Sequence, residues 1–262
     1  MPNDEDSLGR NSARPAPQLL DSVGPSRVND YDSFAEEYSA ENEVNVHNAY
    51  YERPATLALA GDVTGRRVLD VGCGSGPLSA ALRERGATVA GFDKSAAMLK
   101  LARNRLGPDA DLRVADLGQP LPYPDSAFDD VIASLVLHYL EDWTAPLAEL
   151  RRILRPGGRL IASVNHPIIG HPLVRPDADY WATYEWSYPV STSSGHSYVL
   201  TNWHRPLPAM IDAFTGAGFR IAKISEPPPA PDTPRELLPD FMQDKPPGSA
   251  WLEFMFFVLQ AD

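Results

Sequence analysis

The sequence predicts an α/β fold in which a mainly parallel sheet carries helices on both faces. Apolar strands alternate with amphipathic helices from Val68 to Val164, and this order favours parallel strands joined by helical crossovers. Residues suited to ligand binding lie at the carboxyl ends of predicted strands: Gly72, Asp93, Asp116 and Ser134. Ligands bind such sheets at that edge, where the strand order reverses. The pattern therefore predicts a ligand site there.

The first strand and the turn after it carry the strongest functional signal. The apolar run Val68–Val71 leads into Gly72, Gly74 and Gly76, and an amphipathic helix follows over Pro77–Arg85. Alternating glycines let a bulky ligand lie against the backbone. This strand, turn and helix therefore predict close contact between main chain and ligand.

The second strand, Ala87–Phe92, ends in Asp93. A carboxylate at that place suits the two hydroxyl groups of a ribose. We therefore predict a cofactor that contains a nucleoside.

Two kinds of cofactor fit that description. A dinucleotide fingerprint, Gly-x-Gly-x-x-Gly, would need a third glycine where this chain has Pro77. The pattern is instead Asp-x-Gly-x-Gly-x-Gly, from Asp70 to Gly76, which resembles the first motif of class I S-adenosylmethionine-dependent methyltransferases. An NAD(P)-dependent oxidoreductase is one alternative. A protein that binds S-adenosylmethionine or S-adenosylhomocysteine without transferring a methyl group is another.

The resemblance continues to Phe257. It covers the helix Ser95–Leu106, the strands Leu112–Ala115 and Phe128–Ser134, the helix Leu147–Leu154, the turn Arg155–Gly158, the strand Arg159–Val164, the helix Met210–Ala217 and the strand Ala250–Leu259. It implies a Rossmann-like seven-stranded sheet of order 3-2-1-4-5-7-6, with strand seven antiparallel. It also implies that Asp116 accepts a hydrogen bond from the adenine amino group.

S-adenosylmethionine is the cofactor that the resemblance implies. Its binding residues are expected at the strand ends, at the start of the second helix and in the N-terminal segment. They are Asp70, Gly72, Cys73, Gly74, Asp93, Lys94, Met98, Asp116, Leu117, Ser134, Leu135 and Tyr38.

The chain is predicted to comprise two parts: an N-terminal segment, residues 1–26, and a single domain, residues 27–262. The N-terminal segment shows no periodic pattern of hydrophobic residues. Polar and proline-rich composition predicts disorder in this segment. Residues 28–60 are helical in pattern, and Tyr31–Tyr38 resembles a segment that packs over the cofactor in such methyltransferases. This stretch is interpreted as a lid, as a helix that caps the sheet, or as both.

Residues 166–205 interrupt the resemblance and are rich in aromatic side chains. Apolar and aromatic walls are typical of small-ligand sites, so this insert is interpreted as a substrate lid; a packed cover over the sheet end is the alternative. The predicted substrate contacts are Tyr31, Tyr180, Trp181, Trp186, Trp203 and His204.

The implied reaction is in-line displacement at the cofactor's methyl carbon, in which alignment of the reactants matters most. His166 and His138 both follow predicted strands and are the candidates for a general base, although each also has a structural interpretation. A base is not obligatory, because some acceptors need none. No His-Glu-x-x-His or similar spacing predicts a metal site.

Composition limits the partners. Acidic residues number 35 against 23 basic ones, a net charge of −12, which disfavours nucleic acid because phosphate binding depends on Lys and Arg. A small-molecule substrate is therefore predicted. The absence of a long apolar run, of a secretory signal and of any cysteine besides Cys73 predicts a cytoplasmic protein without membrane contact. The oligomeric state and the acceptor atom, whether oxygen, nitrogen or carbon, stay open.

Overall fold

The computed structural model describes residues 29–191 and 197–262, so the predicted disordered segment, residues 1–26, lies outside the described residues. The strands are β1 Arg67–Val71, β2 Thr88–Asp93, β3 Asp111–Val114, β4 Phe128–Ser134, β5 Leu154–Asn165, β6 Tyr184–Ser191, β7 Ser197–His204, β8 Phe219–Ser225 and β9 Phe254–Ala261. The α-helices are α1 Ala35–Asn42, α2 Arg53–Ala60, α3 Pro77–Glu84, α4 Ala96–Leu106, α5 Thr144–Ile153, α6 Pro167–Val174, α7 Leu207–Gly216 and α8 Asp240–Gln243. Val46–Glu52 forms a π-helix, and Leu137–Tyr139 and Arg235–Leu237 form 3₁₀ turns.

A seven-stranded sheet has the order β3-β2-β1-β4-β5-β9-β8. Neighbours from β3 to β5 are parallel, whereas β9 runs antiparallel to both β5 and β8. The hairpin of β6 and β7 is a separate sheet. With the hairpin left out of the numbering, the order is 3-2-1-4-5-7-6, and the predicted topology is confirmed.

Helices pack on both faces because central parallel strands are buried on both sides. On one face, Leu57 of α2 and Leu82 of α3 pack with Val68. On the other face, Trp143 and Phe214 of the α5 and α7 region pack with the core that includes Phe257. The turn predicted at residues 155–158 is a bulge inside β5, since pairing with β4 passes from Leu154 to Arg159 across it.

The N-terminal segment is fastened to the sheet domain by polar contacts. Asn29 and Thr201 of β7 exchange two hydrogen bonds of 2.9 Å each. The Asp32 carboxylate accepts a hydrogen bond of 2.6 Å from the hydroxyl of Ser95, which caps α4. The segment therefore bridges the hairpin and the carboxyl edge of the sheet.

The insert at residues 166–205 contains α6 and the hairpin of β6 and β7, although the sequence showed no regular period there. The hairpin packs on the N-terminal segment, where Phe34 stacks on Tyr198 with ring centroids 3.7 Å apart. In the described ranges no helix is both long and apolar enough to cross a lipid bilayer.

Candidate functional site

A cavity of about 250 Å³ lies at the carboxyl ends of β1, β2, β3 and β4, beneath the N-terminal segment. All the residues predicted to bind the cofactor line it: Tyr38, Asp70, Gly72, Cys73, Gly74, Asp93, Lys94, Met98, Asp116, Leu117, Ser134 and Leu135. The fold thus brings residues from five separate chain segments to one place. Their individual roles toward a ligand stay predictions.

The glycine turn after β1 forms one wall. Gly72 and Gly74 have φ angles of 65° and 54°, in the left-handed region that favours glycine. A Cβ at Gly72 would lie 2.9 Å from Cγ2 of Val136, whereas one at Gly74 would meet no heavy atom within 4 Å. Gly72 is therefore required by packing, and Gly74 leaves the cavity wall open to a ligand.

The carboxylate of Asp93 is held in place by the backbone around it. Its Oδ2 accepts a hydrogen bond of 2.9 Å from the N–H of Gly74, and its Oδ1 accepts one of 2.8 Å from the N–H of Ser95. Burial raises the pKa of this carboxyl above its ordinary value. Each oxygen keeps a further lone pair, so the group can accept from two ribose hydroxyls.

Two more acids in the cavity wall are almost fully buried. Asp70 is 1% exposed and accepts a hydrogen bond of 2.6 Å from the hydroxyl of Ser79. Burial, together with the nearby carboxylates of Glu52 and Asp93, raises the pKa of Asp70 to about 7. Glu52 is 3% exposed. This end of the cavity therefore places ionisable acids away from water.

Glu52 and its neighbours lie outside the sequence motifs. The cavity is also lined by polar residues of the N-terminal segment: Asn29, Asn42, Asn48, Glu52 and Arg53. Three of them belong to the π-helix or the turn of helix after it, a geometry that recurs at functional sites. No local signal marks a π-helix in a single sequence, so only the folded chain identifies these residues.

Leu135 has an unusual backbone for a branched residue, with φ of 51° directly after β4. Its N–H donates to the carbonyl of Ser163 at 3.2 Å and to the Ser163 hydroxyl at 2.9 Å. Strain of this kind persists only where neighbouring contacts hold it. The result is a sharp bend that exposes the end of β4 to the cavity.

Tyrosines close another side of the cavity. The hydroxyls of Tyr31 and Tyr139 lie 2.7 Å apart, and the rings of Tyr31 and Tyr38 meet edge-on with centroids 5.0 Å apart. Burial raises the pKa of all three phenols above the ordinary value. They therefore stay protonated at neutral pH and act as hydrogen-bond donors and acceptors, not as bases.

The two candidate bases lie elsewhere. His138 is buried, its Nδ1 accepts a hydrogen bond of 3.4 Å from the N–H of Asn165, and burial lowers its pKa to about 3. His166 caps α6 through Nδ1, and its Nε2 lies 2.8 Å from a carboxylate oxygen of Glu226. Neither lines the main cavity; both line a smaller one of about 20 Å³. The base predicted for His166 or His138 finds no support in this geometry.

The structure separates the predicted substrate residues in the same way. Tyr31 lines the main cavity, whereas Trp186, Trp203 and His204 line the smaller one. Tyr180 packs edge-on against His204, and Trp181 is 69% exposed. The hairpin packs on the N-terminal segment through the stacked rings of Tyr198 and Phe34, and no described residue of β6 or β7 is among those that line the main cavity.

The residues that line the cavity fit S-adenosylmethionine. The glycine turn accepts a bulky ligand, and Asp93 suits a ribose. Burial raises the pKa of the Cys73 thiol well above its ordinary value, so Cys73 contributes a wall and not a thiolate. Across the described part of the chain, no group of three or more His, Cys, Asp or Glu side chains could hold a metal ion.

Residues 69–162 match the family model of a methyltransferase domain. The chain is 34% identical over 142 residues to a demethylmenaquinone methyltransferase from Renibacterium salmoninarum, covering 53% of this chain and 59% of that protein. It is 40% identical over 107 residues to a malonyl-(acyl-carrier protein) O-methyltransferase from Serratia marcescens, covering 41% of each. The chain thus spans about half the length of these curated relatives.

Structural similarity extends further along the chain. The crystal structure of an S-adenosylmethionine-dependent methyltransferase from Mesorhizobium loti superposes with a TM-score of 0.58 at 25% identity. The match covers 79% of this chain and 96% of that one. It therefore includes elements on either side of residues 69–162.

Proposed function

We propose that the chain is a class I S-adenosylmethionine-dependent methyltransferase and that it transfers a methyl group from S-adenosylmethionine to a small-molecule acceptor. The proposed functional unit is residues 27–262, with residues 28–60 as the lid over the cofactor. The observation that carries the proposal is the Asp93 carboxylate, fixed on the glycine turn at the edge of a cavity with buried acids.

Charge argues for this cofactor over a dinucleotide. S-adenosylmethionine carries a sulfonium and an ammonium group, whereas the pyrophosphate of NAD(P) is anionic. Three carboxylates, Glu52, Asp70 and Asp93, lie in the cavity wall and are largely removed from water. Like charges at close range in a medium of low polarity repel strongly. The cavity therefore disfavours the oxidoreductase alternative.

The chain's own residues would align the reactants. Asp93 would hold the ribose, and Asp116, Leu117 and Met98 would surround the adenine. When bound, the cofactor supplies an electrophilic methyl group. The tyrosines Tyr31 and Tyr139 would border the acceptor, exclude water and orient it by hydrogen bonds. Alignment of this kind can lower the barrier by roughly 7–11 kcal/mol at best.

The acceptor chemistry is inferred from the groups that border the acceptor, since the buried acids of the cavity wall, Glu52, Asp70 and Asp93, are assigned to the cofactor. No histidine lies among the described residues that line the main cavity, and its tyrosines stay protonated. We therefore propose an acceptor that is nucleophilic without help from a protein base, such as an amine, a phenolate or an acidic carbon. The acidic composition supports a small acceptor over nucleic acid, and the single, buried cysteine suits a cytoplasmic protein.

Mass spectrometry of small molecules that co-purify with the protein is the most direct test. S-adenosylmethionine or S-adenosylhomocysteine in the bound fraction supports the proposal, and a second bound compound identifies the acceptor. Calorimetry with S-adenosylmethionine and with NAD provides a second measurement. Binding of NAD without binding of S-adenosylmethionine contradicts the proposal. Binding of the cofactor without product from any bound acceptor favours a non-catalytic binding protein.

A further inference from the structure

We propose that Glu52 binds the ammonium group at the methionine end of the cofactor. The inference rests on the proposed function, since it assumes that S-adenosylmethionine occupies the main cavity. It assigns a binding residue to the N-terminal segment, outside the glycine turn and the strand ends that the sequence motifs identify.

Glu52 is a buried acid in which one carboxylate oxygen accepts hydrogen bonds from the protein and the other is available to a ligand. Its Oε1 accepts hydrogen bonds from the hydroxyls of Thr56, at 2.7 Å, and Ser163, at 2.6 Å. No described residue donates a hydrogen bond to Oε2. The side chain lines the main cavity although it is only 3% exposed. Its position is thus fixed by two donors while an acceptor stays available for a ligand.

No described residue supplies a cation to this carboxylate. The adjacent Arg53 donates instead to the carbonyl of Asn42 at 2.8 Å and to its side-chain oxygen at 2.6 Å, and it pairs with Glu43. Asp70, whose pKa the charge of Glu52 helps to raise, is a second buried acid near Glu52. A buried charge without a partner is strongly unfavourable. A cationic ligand removes that penalty for both acids.

The position of Glu52 along the sheet selects the ammonium group. The sheet order from one edge is β3, β2, β1, β4 and β5; Asp116 follows β3, and Asp93 is the last residue of β2. Ser163, which donates to Glu52, belongs to β5 and also accepts from the N–H of Leu135 after β4. Three strand spacings, roughly 14 Å, therefore separate Asp93 on β2 from the β5 residue that donates to Glu52, and Asp116 lies one strand farther away. The cation at the far end of the cofactor from its nucleoside is the ammonium group.

The test is a thermodynamic cycle measured by calorimetry on the full chain. The ligands are S-adenosylhomocysteine and the same molecule with hydrogen in place of the amino group. The proteins are wild type, Glu52→Gln and, as a matched control on the same segment, Glu36→Gln at an exposed position. Glutamine preserves the shape of Glu52, and melting temperatures establish that each variant is folded.

We expect Glu52→Gln to weaken S-adenosylhomocysteine roughly ten- to a hundredfold, the range for a hydrogen bond to a charged group. Loss of the amino group should weaken binding to wild type and to Glu36→Gln by a similar factor, yet hardly affect Glu52→Gln, because the two changes remove the same contact. Equal losses for both ligands, or no loss for S-adenosylhomocysteine, overturn the proposal.

Two further outcomes are distinguishable. A loss seen with S-adenosylmethionine but not with S-adenosylhomocysteine places the sulfonium beside Glu52 and overturns the assignment to the ammonium group. If Glu52→Gln does not fold, the affinities of wild type for the two ligands test the proposal. Equal affinities for S-adenosylhomocysteine and for the analogue without the amino group overturn it. Wild type that binds neither cofactor form removes the proposed function itself.

Discussion

The carboxylate of Asp93 accepts a hydrogen bond of 2.9 Å from the N–H of Gly74, 19 residues earlier in the chain. The acid that ends β2 and the glycine turn after β1 are therefore one structural unit. The contact orients the carboxylate before any ligand arrives, which reduces the entropy that binding must remove.

Substitution of Asp93 should separate ligand binding from local stability. Asp93→Asn keeps the shape but replaces one acceptor with a donor, so S-adenosylmethionine should bind about 1.5–3 kcal/mol more weakly in calorimetry. Asp93→Ala should also lower the free energy of unfolding, because the N–H groups of Gly74 and Ser95 lose their acceptor. Asp109→Asn, at an exposed position, is the control. Unchanged affinity in Asp93→Asn would place the ribose elsewhere.

Substitution of Gly74 should lower both cofactor affinity and stability, whereas substitution of Gly72 should mainly lower stability. Gly74→Ala should cost about 1–2 kcal/mol for a left-handed alanine and lower cofactor affinity by about tenfold or more, about 1.4 kcal/mol, because its methyl group enters the cavity. Gly72→Ala should lose about 1–3 kcal/mol more stability through overpacking against Val136. Gly65 has a positive φ of 71° and open surroundings, so Gly65→Ala is the control for backbone cost.

Chemical unfolding and calorimetry on these three variants check the expectation. Gly65→Ala should lose about as much stability as Gly74→Ala and should bind the cofactor as tightly as wild type does. Equal affinity in Gly74→Ala and wild type would show that the ligand does not approach this part of the backbone.

Asp70 makes the stability of the ligand-free protein depend on pH. Its pKa rises from the ordinary 3.8 to about 7 on folding. The contribution of Asp70 to the free energy of unfolding is therefore fully present below about pH 4, where its carboxyl group is protonated, and it is lost as pH rises through 7. Asp70→Asn removes this dependence. The free energy of unfolding of the variant relative to wild type should increase from pH 4.5 to 7, by at most about 1.4 kcal/mol per pH unit, and then level off.

Urea unfolding at a series of pH values measures that difference. His138 acts in the opposite direction, because a pKa lowered to about 3 costs stability as pH falls below 6.5, but its effect is the same in both proteins and cancels. A difference that is independent of pH would mean that Asp70 is ionised normally in the folded state.

Cofactor binding should release protons near neutral pH. A bound cation favours ionised Asp70 and so lowers its pKa from about 7. Calorimetry at pH 7 in two buffers of different ionisation enthalpy should therefore give different apparent binding enthalpies for wild type and the same enthalpy for Asp70→Asn. Equal enthalpies for wild type would contradict the proximity of the cation to Asp70.

His166 should act on stability and not on cofactor binding. His166→Ala removes the cap of α6 and the contact with Glu226, at an expected cost of about 0.5–2 kcal/mol. His166→Asn restores a capping side chain and should recover part of that loss. Cofactor affinity should equal that of wild type in both. A stable His166→Asn variant that binds the cofactor but has lost methyl transfer would restore His166 as the base.

The sequence by itself determined the sheet and the residues at its carboxyl edge. Strand patterns and glycine turns are local, and parallel crossovers have one favoured hand. Residues at or just after the ends of successive strands, such as Gly72, Asp93 and Asp116, therefore meet at one edge of the sheet, independently of how the other segments pack. For this reason the predicted topology was confirmed and the predicted cofactor residues all line one cavity.

Only the tertiary structure decided what covers that edge. Composition favoured the aromatic insert as the substrate wall, but contacts such as Asn29 with Thr201 and Phe34 with Tyr198 place its hairpin against the N-terminal segment. That segment, and not the hairpin, supplies Tyr31 and Glu52 to the cavity. These contacts join residues more than a hundred positions apart, and no periodicity within a local stretch of sequence records such a pairing.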